Sequence, residues 1–180
     1  MDTERIQDQI RRAHDGHAWH GSSIKELLSG VTAAQAAERP VKNAHTIWEL
    51  VRHMMVWRAV VCRRIGGDPV RSLTPARDWP AIGRSTDAAW AATLADFEQS
   101  QRQLLETVGR ISDARLADMV PEHPYTFYVM LHGVVQHDVY HAGQIALLKK
   151  ALGRPARSTP RRARSARRSK TRRPQHHARS

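Results

Sequence analysis

The stretch Val134-Val135-Gln136-His137-Asp138-Val139-Tyr140-His141-Ala142-Gly143-Gln144-Ile145 decides how this chain is read. With Met130, Leu148 and Leu152, its apolar residues recur at helical spacing and form one core-facing stripe. At about 100° per residue, positions four apart lie about 40° from each other, so His137 and His141 leave the helix on one face. Both fall within the apolar stripe. Imidazoles aimed into a core need polar partners there, and this is the spacing with which one helix supplies two ligands to one metal ion.

The same periodicity continues outward along the chain, with no convincing period-2 strand. A first helix is expected over about residues 2–17, through Ile6, Ile10 and Ala13, with a break near Trp19-His20-Gly21. Ser23-Ile24-Lys25-Glu26 has a capping-box pattern that opens a short helix ending before Gly30, and Thr32-Ala33-Ala34-Gln35 caps another short turn. Thr46-Ile47-Trp48-Glu49 opens the second long helix, which runs to Gly66-Gly67. The third spans about Thr86 to Val108, and the fourth about Thr126 to Leu152, stopping at Gly153-Arg154-Pro155. Four helices of this length imply an all-α four-helix bundle occupying residues 1–153. The connection over residues 66–85 is long for a compact domain and carries Pro69, Pro75 and Pro80. Some 20 extended residues can travel the length of a helix, so the second and third helices can run parallel, joined by a crossover. Trp79 is expected to pin that crossover to the body.

Charge divides the chain. Of 29 Lys+Arg, 11 fall in residues 154–180 with no acid, leaving 18 bases against 17 acids in residues 1–153. The tail has almost no large apolar residue and is expected to be disordered. Its charge would attract nucleic acid without reading sequence, or simply be solvated. Cys62 is the only cysteine, so no internal disulfide forms and a reducing compartment fits. The start, Met1-Asp2-Thr3-Glu4-Arg5, is unlike a signal peptide, and no apolar run approaches a membrane span. The expectation is a cytoplasmic protein.

A third imidazole completes a ligand set. His53 lies on the second helix at the edge of its apolar stripe, about 40° from Trp57, where it can reach sideways to a neighbouring helix. One His from one helix and a His-x3-His pair from another make three ligands, which leaves positions open for water or substrate. His14, His17 and His20 form a rival series, but Gly16 makes a common face doubtful, and His14 is expected to face solvent. His20, Trp57 and Asp138 are candidates for the pocket, Asp138 as a partner that orients a ligand imidazole. Cys62 lies roughly 180° around its helix from His53, so the two form no nucleophile–base dyad. The chain has no Gly-rich phosphate loop and no nucleophile elbow.

Three stretches carry a family resemblance: Ala18-Trp19-His20-Gly21, His45-Thr46-Ile47-Trp48-Glu49-Leu50-Val51-Arg52-His53, and Gly133 through Ile145. In these the chain resembles the DinB-like (YfiT-type) metalloenzymes over about residues 1–152. The resemblance implies an up-down-down-up four-helix bundle and a divalent metal, usually nickel, zinc or iron, held by His53, His137 and His141. It also implies a homodimer. Characterised relatives include transferases and isomerases that use a low-molecular-weight thiol.

Together these readings give a metal-dependent enzyme acting on a small molecule, with a small thiol as co-substrate and electrophiles as targets. No catalytic residue is named beyond the metal-bound water or thiol. The alternatives are a metal-dependent hydrolase, or a non-catalytic metal-binding module whose tail, residues 154–180, contacts nucleic acid.

Overall fold

Capping chemistry sets most of the helix boundaries in the structure, a computed structural model that describes residues 1–153. The chain forms α1 (Asp2–Asp15), α2 (Ile24–Leu28), α3 (Ala33–Ala37), α4 (Ile47–Ile65), α5 (Pro75–Asp78), α6 (Asp87–Gly109) and α7 (Phe127–Leu152). A 3-10 helix, Asp113–Ala117, links α6 to α7, and the described residues contain no strand. At α4 the Thr46 hydroxyl accepts from Glu49 N while the Glu49 carboxylate accepts from Thr46 N, the reciprocal cap that the sequence pattern implied. Equivalent boxes open α2 at Ser23 and α3 at Thr32, and Thr86 and Thr126 cap α6 and α7.

Two boundaries differ from the sequence reading. α1 stops at Asp15 rather than near residue 17, because Gly16 and His17 take φ values of 140° and 59°, outside the helical region. The crossover contains α5, which begins on Pro75 at its first position. The disorder and the nucleic-acid contact expected of residues 154–180 lie outside the described residues. None of the described helices is long and apolar enough to cross a membrane.

Cross-helix contacts give the directions of the long helices. Trp48 donates to Thr93 Oγ1 at 3.0 Å and Arg58 reaches Ser100 Oγ at 3.3 Å, so α4 and α6 run parallel. His53 meets His141, Arg58 meets Asp138, and Arg64 meets Tyr125 just before α7, so α4 and α7 run antiparallel. Gln7 donates to Leu105 O and Gln101 to Ile10 O, so α1 opposes α6.

The core has two apolar parts. One gathers Ile24, Ile47, Trp48, Val51, Met54, Trp90, Ile145 and Leu148. The other gathers Ile6, Ile10, Val61, Leu104, Val108, Met130, Leu131 and Val134. Between them along α4 and α7 lies a buried polar layer centred on Arg58 and Asp138, 2.7 Å apart and 1% and 2% exposed. Arg58 also donates to Phe97 O, Ser100 Oγ and His14 Nδ1, and its guanidinium lies 4.2 Å from the Phe97 ring centroid. His14 is therefore fully buried, not solvent-facing as its sequence position suggested. It accepts from Arg58 at Nδ1 and donates from Nε2 to Glu98, which fixes the neutral tautomer.

Removing one member of such a pair leaves a buried charge without compensation, at a cost of about 3–5 kcal/mol, whereas removing both with apolar replacements is often close to neutral. The Asp138→Leu variant should lose stability of that order in urea denaturation. The Arg58→Met/Asp138→Leu double variant should recover most of it.

Candidate metal centre

The imidazoles of His53 on α4 and of His137 and His141 on α7 converge on one point. His53 Nε2 and His141 Nε2 each stand 3.1 Å from His137 Nε2. The ring centroids are 4.4 to 5.0 Å apart. His53 and His141 are buried, and His137 is half-buried. Two nitrogens that each sit ~2.1 Å from one ion are about 3.0–3.4 Å apart when their angle at the ion is ~90–110°. The observed separations fall within that range.

The outer partners of the rings decide what their inner nitrogens offer. His53 Nδ1 donates to Asp78 O at 2.9 Å and lies 3.1 Å from Asp78 Oδ1. His141 Nδ1 donates to Gln144 Oε1 at 2.7 Å. Each ring thus carries its proton on Nδ1 and presents an Nε2 lone pair to the centre. His137 has one Nε2 facing both of them, so a proton there could satisfy only one. A cation satisfies all three, and the residues present fit a divalent metal.

Electrostatics favour the ligand-competent form. Desolvation lowers the pKa of His141 to about 4, Gln144 opposes this, and the neighbouring His137 and His53 rings depress it further. His53 is also lowered, first by desolvation, against the opposing pull of Asp78. Both rings are neutral at pH 7 with lone pairs free.

The crossover supplies the walls. Trp79 stacks on His53 with centroids 3.8 Å apart and planes 4° from parallel, stacks also on His45 at 3.5 Å, and meets His141 edge-on at 6.2 Å. Trp57 donates to Asp78 Oδ1 at 2.9 Å, tying the same segment to α4. The pinning role expected of Trp79 thus falls directly on a site imidazole. Asp78 and Gln144 went unrecognised as partners of these rings. Asp78 ends α5, whose four residues are too few for periodicity to register, and Gln144 gave no signal beyond following His141 by three positions on the same helix.

The other pocket candidates separate. Trp57 lines, with His137, a mostly apolar cavity of about 300 Å³. Asp138 pairs with Arg58 through Oδ2. Its Oδ1 lies 3.9 Å from His137 Nδ1, and among the described residues neither atom has a hydrogen-bond partner. His20 sits exposed on the turn between α1 and α2 and is not among the residues lining that cavity. Cys62 is half-buried on the side of α4 that faces Gln103 and Thr107 of α6, away from the imidazoles.

A second cluster, His14, Asp15 and Glu98, brings three ligand atoms within 4.8 Å of one another. Protein cations already serve it. Lys25 Nζ is 3.8 Å from Asp15 and 3.9 Å from Glu98, and Arg58 occupies His14 Nδ1.

Titration with zinc should show one tight site per chain. His141→Ala should weaken it by more than ~100-fold, and Gln144→Ala, which removes only an outer acceptor, by ~10–100-fold. Circular dichroism should show helix content retained in both.

Acid should destabilise the metal-free protein. His14 is lowered mainly by burial and then by Arg58, so it shares the direction of His53 and His141. Each folded-state pKa lies below the unfolded value of about 6.5, so the unfolded chain binds more protons as pH falls. Stability is thus fully present above that pH and lost progressively from pH 6.5 towards pH 4. In chelator, thermal unfolding should shift to lower temperature between pH 7 and pH 5. His14→Gln, which keeps one acceptor and one donor, should make that slope shallower.

No curated protein and no solved structure matches the chain. The model of the DinB superfamily matches residues 18–145, which contain all three converging imidazoles, and the chain belongs to that superfamily.

Proposed function

We propose that this protein is a metal-dependent enzyme, built on an up-down-down-up four-helix bundle, that joins a low-molecular-weight thiol to an electrophilic small molecule. The pairwise helix directions and the long connection between α4 and α6 support the bundle reading. The observation that carries the functional reading is the convergence of three imidazole Nε2 atoms beside an apolar cavity, with His137 on its wall.

His53, His137 and His141 would hold a divalent ion, and with no anionic ligand among them it would supply strong Lewis acidity that favours the thiolate form of a small thiol. The protein's own groups do the rest. Asp78 and Gln144 hold the His53 and His141 rings in one tautomer, and Trp79 covers the outer face of His53. Trp57 and the apolar wall exclude water from the side on which a substrate enters. The thiol must come from outside the chain. Burial raises the pKa of Cys62, and that side chain faces α6 rather than the imidazoles. Tyr140 and Leu147, exposed and seven residues apart on α7, support a homodimer.

In the test, the metal-loaded chain is given a small thiol and a chlorodinitrobenzene. A carbon–sulfur bond forms, the carbon–chlorine bond breaks, chloride leaves and the thiol proton passes to solvent. The expected result is thioether formation that depends on thiol concentration and falls more than ~100-fold in His141→Ala or with chelator. Release of the dinitrophenol instead would indicate a metal-dependent hydrolase. Metal binding with neither product would indicate a non-catalytic module.

A further inference from the structure

The cavity beside His137 is a short channel between α4 and α7. Trp57, Met130 and Val134 give it apolar walls, His137 stands at one end, and Arg64 and Tyr125 stand at the other. The Arg64 guanidinium lies 5.9 Å from the Trp57 ring centroid and that ring lies 5.9 Å from the His137 ring, so Trp57 bridges the two ends.

Arg64 is unusual among the residues of this channel. It is 6% exposed and permanently charged, yet both its hydrogen bonds go to neutral oxygens, Tyr125 Oη at 2.8 Å and Val70 O at 2.7 Å. Its Nε is buried and has no partner among the described residues. Among the described residues it forms no ion pair, whereas the other buried arginine, Arg58, has Asp138. A guanidinium out of water without a counter-charge is costly, and each terminal nitrogen, with two hydrogens and one bond, keeps a second hydrogen suited to an anionic oxygen. Tyr125 Oη accepts from Arg64, so its own hydrogen is free to be donated.

We propose that Arg64 and Tyr125 form a carboxylate receptor, and that the channel takes a small monocarboxylate whose apolar body lies against Trp57, Met130 and Val134. Its far end then meets His137 and the imidazole cluster. The volume of about 300 Å³ suits a body of roughly eight carbons. The reaction at that far end rests on the function proposed above; the binding of the anion does not. Arg64 is thus a specificity-determining residue, selecting electrophiles that carry a carboxylate at the opposite end from the reacting carbon.

The test uses the full chain, with zinc and with chelator, titrated with octanoate and octanamide, which share an apolar body and differ in charge. Tryptophan fluorescence is a suitable signal because Trp57 lines the channel. Octanoate should bind about 10–100-fold more tightly than octanamide, the range contributed by a charge-assisted hydrogen bond, and should do so with chelator present. Arg64→Gln should remove that preference while octanamide binding stays unchanged, and Arg64→Lys should retain part of it. Equal binding of the two probes to the unaltered chain would overturn the proposal, and that comparison needs no variant to fold. So would a preference that survives Arg64→Gln. His141→Ala separates the two readings: loss of zinc with octanoate preference intact leaves the receptor standing alone. One bound zinc without octanoate preference leaves only the metal centre.

Discussion

The ion pair between Arg58 and Asp138 fixes how α4 lies against α7. Both groups are buried, so a slip of one helical turn would leave two charges in the core without compensation. The pair therefore acts as a register lock between antiparallel helices. Asp138 directly follows His137, and Arg58 lies five residues after His53. Once the lock is closed, His53 must stand opposite His137 and His141. The two apolar clusters above and below the pair supply the burial, but apolar contacts alone would tolerate neighbouring registers. The polar layer is what turns a packed helix pair into one arrangement of three imidazoles.

The centre so placed is closed on one side and open on the other. Asp78 O and Gln144 Oε1 hold its outer rim, each acting on a single imidazole, and the Trp79 ring stacks on His53 and stands edge-on to His141. His137 is the exception. Its Nδ1 has no partner, its nearest carboxylate oxygen lies 3.9 Å away, and its ring borders the apolar channel. The least constrained imidazole is therefore the one that borders the channel. Asp138 spends its charge on Arg58 and holds α7 in place, acting on the site through the helix. Three neutral donors leave the charge of an ion uncancelled, which favours an anionic ligand in the open position.

Much of this was legible in the residues. The Thr46-to-Glu49 box and the stripe from Met130 to Leu152 each have one physical reading, and the helices follow them; the His-x3-His spacing put two rings on one inward face and left open whether they pack or bind. The long proline-bearing connection pointed to parallel α4 and α6 through its reach alone. Other features had no local signal. α5 holds the acceptor for His53, and its four residues are too short for periodicity to register. His14 looked like a surface residue because its burial depends on Arg58, which arrives from a helix 44 positions away. Arg64 carried no signal in the sequence. Only the folded neighbourhood shows that its Nε lacks a partner.

The central claim is that three imidazoles share one ion. X-ray absorption at the metal edge of the loaded protein tests it most directly, because it counts light neighbours and their distances. The account predicts three imidazole nitrogens at ~2.0–2.1 Å, falling to two in His53→Ala. A shell with no imidazole scattering, or one that the His53→Ala substitution leaves unchanged, would contradict it.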